Sequence, residues 1–197
     1  MGSGDALMRI KTLFMQGFDA TGILNDSQDR SGCSSGFTLS STCLDTSRSS
    51  AMQWSKTDYI VSTNPEDQDL DVIHGFLSQS YWARNIPRET VARSLQGALC
   101  FALLHKGRQI GFARVISDSA TIAYLGDVFV LPEYRGRGLA GWLLECVTAH
   151  PQLQGLRRWI LATADAHGLY EKFGFTALKR PEIFMERHDP EVYSADR

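Results

Sequence analysis

Apolar residues recur at helical spacing through "NPEDQDLDVIHGFLSQSYW", where Leu70, Ile73, Phe76, Leu77 and Tyr81 share a face. Asn64 ahead of Pro65, with acids in the following turn, predicts where that helix starts. Before it, "DYIVS" reads as a strand; after Pro87 a second helix carries Val91 and Leu95 on one face and stops at Gly97. The period then changes. "ALCFALLHK" and "QIGFARVIS" flank the turn "KGR" as a hairpin, and "SDSA" turns the chain into a third strand, "TIAYLGDVFVL". Leu139, Leu143 and Val147 mark another helix, which must end near His150 because Pro151 disfavours helix at the residue before it. "LRRWILAT" reads as a buried strand, "AHGLYEKFG" as a short helix closed by Gly174, and "IFMER" as a last strand.

This order (strand, two helices, three antiparallel strands, helix, strand, helix, strand) predicts an α/β (α+β mixed) domain. Its central sheet is mixed, mostly antiparallel and flanked by helices. The folded domain is expected over residues 56–190. Residues 1–55 read as a Ser-rich extension without periodicity, expected to be disordered.

Composition narrows the function classes. The chain has 197 residues and a net charge of -2, which gives no general attraction for phosphate polymers, so nucleic acid is not an expected partner. No apolar run reaches the length of a membrane span, and residues 1–50 hold five aspartates against four basic residues, unlike a transit peptide. Cys33, Cys43, Cys100 and Cys146 show no metal-ligand spacing, so no metal is expected; Cys100 and Cys146 fall in apolar patterns as core residues. A cytoplasmic location is the expectation.

The chemistry concentrates in "LPEYRGRGLAGWLL", residues 131–144, where glycines and arginines open a helix directly after a strand. Unpaired N–H groups and the positive end of the helix dipole make such a start an anion site. Gly136 and Gly138 leave the backbone bare, while Arg135 and Arg137 add forked donors suited to phosphate. Gly136, Gly138 and Gly141 also fit the dinucleotide fingerprint, with Asp165 placed as a ribose ligand. Against that, "LPEYR" separates strand from glycines, and too little chain follows for a second nucleotide-binding half. No Lys-Ser or Lys-Thr follows the glycines, which excludes a Walker loop.

"VFVLPEYRGRGLAGWLL" resembles the acetyl-CoA-binding motif of the GNAT superfamily of N-acetyltransferases, with Arg135, Gly138 and Ala140 at the signature places and Val130 and Pro132 ahead of them. "AHGLYEKFGF" resembles the second signature, a tyrosine on a short helix followed by Gly-Phe. The resemblance covers roughly residues 56–187. It implies a GNAT-like acyl-CoA N-acyltransferase fold with acetyl-CoA as co-substrate in a cleft where "GDVFVL" and "WILAT" splay apart. The pyrophosphate would then rest on the N–H groups of Arg137, Gly138, Leu139 and Ala140, within the cradle that includes Arg135 and Gly136. Backbone groups around Phe129 and Val130 would pair with the pantetheine arm.

By the same resemblance Tyr170 is the general acid for the departing thiolate, since a phenol can protonate a thiolate of comparable basicity. Asp127, a charge in an apolar strand, needs a job or a partner: base, anchor for the substrate ammonium, or structural pair with Arg114. Tyr124, three residues earlier and on the opposite pleat of a regular strand, stands in reserve. A backbone N–H near Val130 is expected to serve the oxyanion. Tyr81 and Trp82 are expected to wall the acceptor pocket, and the acceptor is expected to be a small primary amine, amino-acid-like among the options. His167 and His105 are the other titratable candidates for chemistry. Two rival functions remain, a non-catalytic acyl-CoA sensor of the same fold and a nicotinamide-dependent oxidoreductase. The family's habit of dimerising makes a homodimer an option.

Overall fold

The computed structural model describes residues 51–193. All but the last five residues of the expected Ser-rich extension, with Cys33 and Cys43, lie outside the described residues. Six strands form one sheet in chain order: β1 (Gln53–Lys56), β2 (Tyr59–Ser62), β3 (Leu99–His105), β4 (Arg108–Ser117), β5 (Ile122–Val130) and β6 (Arg158–Ile160). Every neighbouring pair is antiparallel except β5 and β6, which run parallel. Among the described residues four α-helices accompany them: α1 (Leu70–Leu77), α2 (Arg88–Gln96), α3 (Leu139–Thr148) and α4 (His167–Tyr170).

Side-chain alternation along the strands divides the core into two layers. Phe101, Leu103, Val115 and Leu125 point to the face covered by α3, where they meet Leu139, Leu143 and Val147. Cys100, Phe112 and Phe129 point to the other face and pack on Ile73 and Leu77 of α1 and Val91 of α2. Each fully buried Phe or Leu here is worth roughly 1.5–3 kcal/mol of transfer free energy.

The expected order of elements holds, with four differences. β1 lacks a period-2 pattern in "QWSK" and is held by its antiparallel register with β2. Asn64 caps only a 3₁₀ turn at Pro65–Asp67; Gln68 and Asp69 are extended, and Asp69 caps the true helix by accepting from the N–H groups of Asp71 and Val72. α1 then ends at Leu77, which leaves Tyr81 and Trp82 on the loop toward α2 rather than on the helix. "IFMER" is not a strand. Pro181 opens a 3₁₀ turn through Ile183, Met185 is 97% exposed, and the apolar alternation that suggested a strand pairs with none of the six strands.

Candidate active site

Two irregularities shape the site. The first is a bulge in β5: Phe112 pairs with Phe129 and Arg114 with Gly126, so Asp127 and Val128 together face Ala113. Asp127 takes φ 55°, the left-handed conformation that Asp tolerates better than most residues. The second is the shortness of β6, whose pairing with β5 stops at Tyr124 and Ile160. Beyond that point the far edge of β5 is unpaired, and the expected strand "LRRWILAT" keeps only Arg158–Ile160. The chain leaves the sheet where the resemblance requires the strands to splay.

The open edge leads to α3. Leu131 N–H donates to Ile110 O, and antiparallel alternation then turns the peptide groups of Val130 away from β4, toward the free edge. Phe129, one residue back, turns its own peptide groups toward Phe112 and stacks its ring on Phe76 at 4.0 Å, so it supports the edge from behind. Gly136 and Gly138 both sit at φ +73°, and Gly138 is the N-cap of α3. Nothing lies within 4 Å of the Cβ that either would carry. The backbone conformation is therefore what demands glycine here, and the space beside it is free for a ligand. The first intrahelical bond runs from Trp142 N–H to Gly138 O, which leaves the N–H groups of Leu139, Ala140 and Gly141 without helical partners. The side chain of Leu139 itself is buried in the core.

The two arginines of this loop do different things. Arg135 Nε donates to Val130 O at 3.0 Å, so it braces the loop against β5. Arg137 lies over the ring of Tyr134 and donates to Glu133 O and the Tyr59 hydroxyl, at the exposed rim. The start of α3 has the features that suit an anion: free N–H donors, a helix N-terminus and open space, with Arg135 and Arg137 on the same loop.

On the α1–α2 side lies a cleft of about 580 Å³ that brings together Tyr81, Trp82, Tyr124, Asp127 and Tyr170, all five residues expected for catalysis or acceptor binding. Asp127 is fully engaged. Arg114 Nη2 and Nε reach its Oδ2 at 2.6 and 2.7 Å, and Trp82 Nε1 donates to Oδ1 at 3.2 Å. The structural partner is thus the one the sequence offered, and the carboxylate still faces the cleft. Tyr124 and Asp127 share the cleft although an odd spacing would part them; the bulge turns Asp127 round. The Tyr81 hydroxyl accepts from Ala164 N–H at 3.1 Å, which ties the α1–α2 loop across to the connection between β6 and α4.

Tyr170 closes α4, with its ring edge-on to Phe175 at 5.9 Å; Gly174, at φ 81°, turns the chain between them. Burial, and after it the charges of Tyr81, Asp165 and Tyr124, pushes its phenol up to about 12, so it carries its proton throughout the physiological range. Burial likewise raises the Cys100 thiol to about 12 and the Cys146 thiol to about 11, which makes both inert packing residues. Among the described residues no group of three or more His, Cys, Asp or Glu could hold a metal, and no helix is long and apolar enough to cross a membrane.

Comparison with known proteins decides the family. A model of the acetyltransferase (GNAT) domain matches residues 96–177. A Gibberella zeae protein assigned as an acetyltransferase is 33% identical over 142 residues, which span 60% of this chain and 79% of that one. A crystal structure from Xanthomonas campestris pv. campestris, assigned to the GNAT family, is 55% identical with a TM-score of 0.68 and covers 69% of this chain and 96% of its own. The chain belongs to the GNAT family of acetyltransferases. A Deinococcus radiodurans R1 structure at 24% identity and TM-score 0.54, covering 69% of this chain and 94% of its own, shares the fold.

In this GNAT chain some cleft residues escaped the sequence, Asp165, Tyr193 and Thr90 among them. Asp165 was visible only as a ribose ligand in the dinucleotide alternative. Tyr193 had no motif around it, and Thr90 sits on a helix read for its apolar face; all three line the cleft. His105 stacks on Tyr59 at 4.7 Å beside Tyr134, and His74 reaches Ile86 O, so neither belongs to the cleft.

Proposed function

We propose that this protein transfers the acetyl group of acetyl-CoA to a primary amine by direct attack. The observation that carries the reading is the unpaired far edge of β5. It runs from the cleft of Tyr170 to the free N–H groups at the start of α3, a single track from acyl chemistry to phosphate binding. Bound there, acetyl-CoA supplies the activated thioester.

The residues divide the remaining work. The start of α3, with Gly136, Gly138 and Ala140, holds the pyrophosphate, and Arg135 and Arg137 shape and charge that loop. The Val130 N–H, on the free edge, is the donor available to the developing oxyanion. The neutral amine nitrogen bonds to the acetyl carbon, the carbon–sulfur bond breaks, and Tyr170 gives its proton to the leaving thiolate. Burial keeps the Tyr170 phenol protonated, so the proton is available when the thiolate leaves. With both carboxylate oxygens engaged by Arg114 and Trp82, Asp127 is a fixed structural wall of the cleft and not the base; a full proton would cost it the Arg114 pair.

Amine-dependent thiol release from acetyl-CoA, with the acetylated amine identified by mass, tests the reading. Tyr170→Phe should keep acetyl-CoA binding and lower kcat by about 10²-fold or more. No thiol release with any amine would refute catalysis, and unchanged turnover would remove Tyr170 from the mechanism.

A further inference from the structure

The charges of the cleft discriminate between kinds of amine. Among the described residues that line it, Arg114 is the one cation, and its Nε and Nη2 are both spent on Oδ2 of Asp127. Asp165, on the connection between β6 and α4, lines the same cleft and carries no ion pair among the described residues. Its charge is close enough to Tyr170 to be felt there. Arg114 cancels Asp127, so the cleft keeps one unmatched negative charge.

The walls suit a cation with an apolar body. Tyr81, Trp82, Tyr124, Tyr170 and Tyr193 present aromatic surface, and Trp82 meets Tyr81 edge-on at 4.9 Å. Aromatic faces attract an ammonium and bury a ring or alkyl body. A carboxylate placed in the same cleft would find its only candidate cation already paired and would face the charge of Asp165.

Resting on the acetyl-transfer reading, we propose that the acceptor is a primary amine with an aromatic or alkyl body and no carboxylate, the arylalkylamine class, and not an amino acid. The balance is one of simple transfer. The ammonium loses one proton to solvent before attack; the thiolate takes the Tyr170 proton and leaves as free thiol, the second amine proton, lost as the amide forms, restores the Tyr170 phenol by way of solvent, and the products are the N-acetyl amine and CoA.

Calorimetric titration with phenethylamine and with phenylalanine, which differ by the carboxylate alone, tests this on the protein by itself and with saturating CoA. Phenethylamine is expected to bind at least about tenfold more tightly, roughly 1.4 kcal/mol, and Asp165→Asn, checked for fold by circular dichroism, to shrink that preference. Equal affinities, tighter phenylalanine, or binding of neither would overturn the proposal. Since binding needs no turnover, a protein that prefers phenethylamine yet never acetylates it would sink only the catalytic reading. Thiol release with phenylalanine and not with phenethylamine would do the reverse.

Discussion

Asp127 carries more of the site than any other single residue. It holds a left-handed bulge, anchors Arg114 and receives Trp82, with side chains 12% exposed for the aspartate and 18% for the arginine. Removing one partner of so enclosed a pair strands the other, at a typical cost of about 3 kcal/mol. Asp127→Ala should therefore lower stability in urea by about that amount, whereas Asp127→Asn, which keeps the shape and an acceptor oxygen, should lose less. Equal, small losses for both would mean that the pair contributes little. Tyr170 gives a second check at this scale. Because burial holds its phenol near 12, the fall in kcat/KM that an ordinary tyrosine would cause near pH 10 should be absent, and the rate should rise with pH as the amine loses its proton.

Among the elements, the start of α1 separates two aspects of capping. Asp69 accepts from two N–H groups of a helix that packs Ile73 and Leu77 into the core, while Asn64 caps one 3₁₀ turn with no buried residue. Asp69→Ala should cost about 1 kcal/mol in urea denaturation and Asn64→Ala about half of that or less; the reverse order would contradict the assignment of the helix start. The same comparison shows what the sequence could and could not reveal. Pro65 after Asn64 is a helix-start signal that a single 3₁₀ turn satisfies equally well. The glycine loop that opens α3 was legible because its glycines, its arginines and the following Leu139-Leu143-Val147 stripe are all local. The bulge was not, since Asp127 looks like any charge in a strand until its pairing with β4 is known. "IFMER" failed for a related reason: an alternating stretch becomes a strand only beside a partner, and β6 offers three residues that end at the splay. The cleft itself was half legible. Tyr81, Trp82, Tyr124 and Tyr170 stand near recognisable motifs, whereas Asp165 and Tyr193 reach it through folding alone.

For the whole molecule, His150 links stability to pH. It is 2% exposed, lies against Trp54 and Phe101, and accepts from Gln152 N–H through Nδ1, so it is neutral in the fold; burial lowers its pKa. As pH falls through about 6.5 the unfolded chain takes up a proton that the folded one refuses, and stability drops by up to about 1.4 kcal/mol per unit until the folded pKa is passed. The urea midpoint should be lower at pH 5.5 than at pH 7.5, and His150→Gln should flatten that difference; an unchanged slope would place the dependence elsewhere. The proposed site belongs to the whole molecule too, because the proposed track joins the end of β5, the start of α3 and the loop between α1 and α2. The most direct test of that joint construction is calorimetric titration with acetyl-CoA, with NAD as the control, on the wild type and on Gly138→Trp checked for fold by circular dichroism. Saturable acetyl-CoA binding that NAD does not reproduce and that the variant loses is the predicted result, whereas no binding of acetyl-CoA, or equal binding in the variant, would contradict the account.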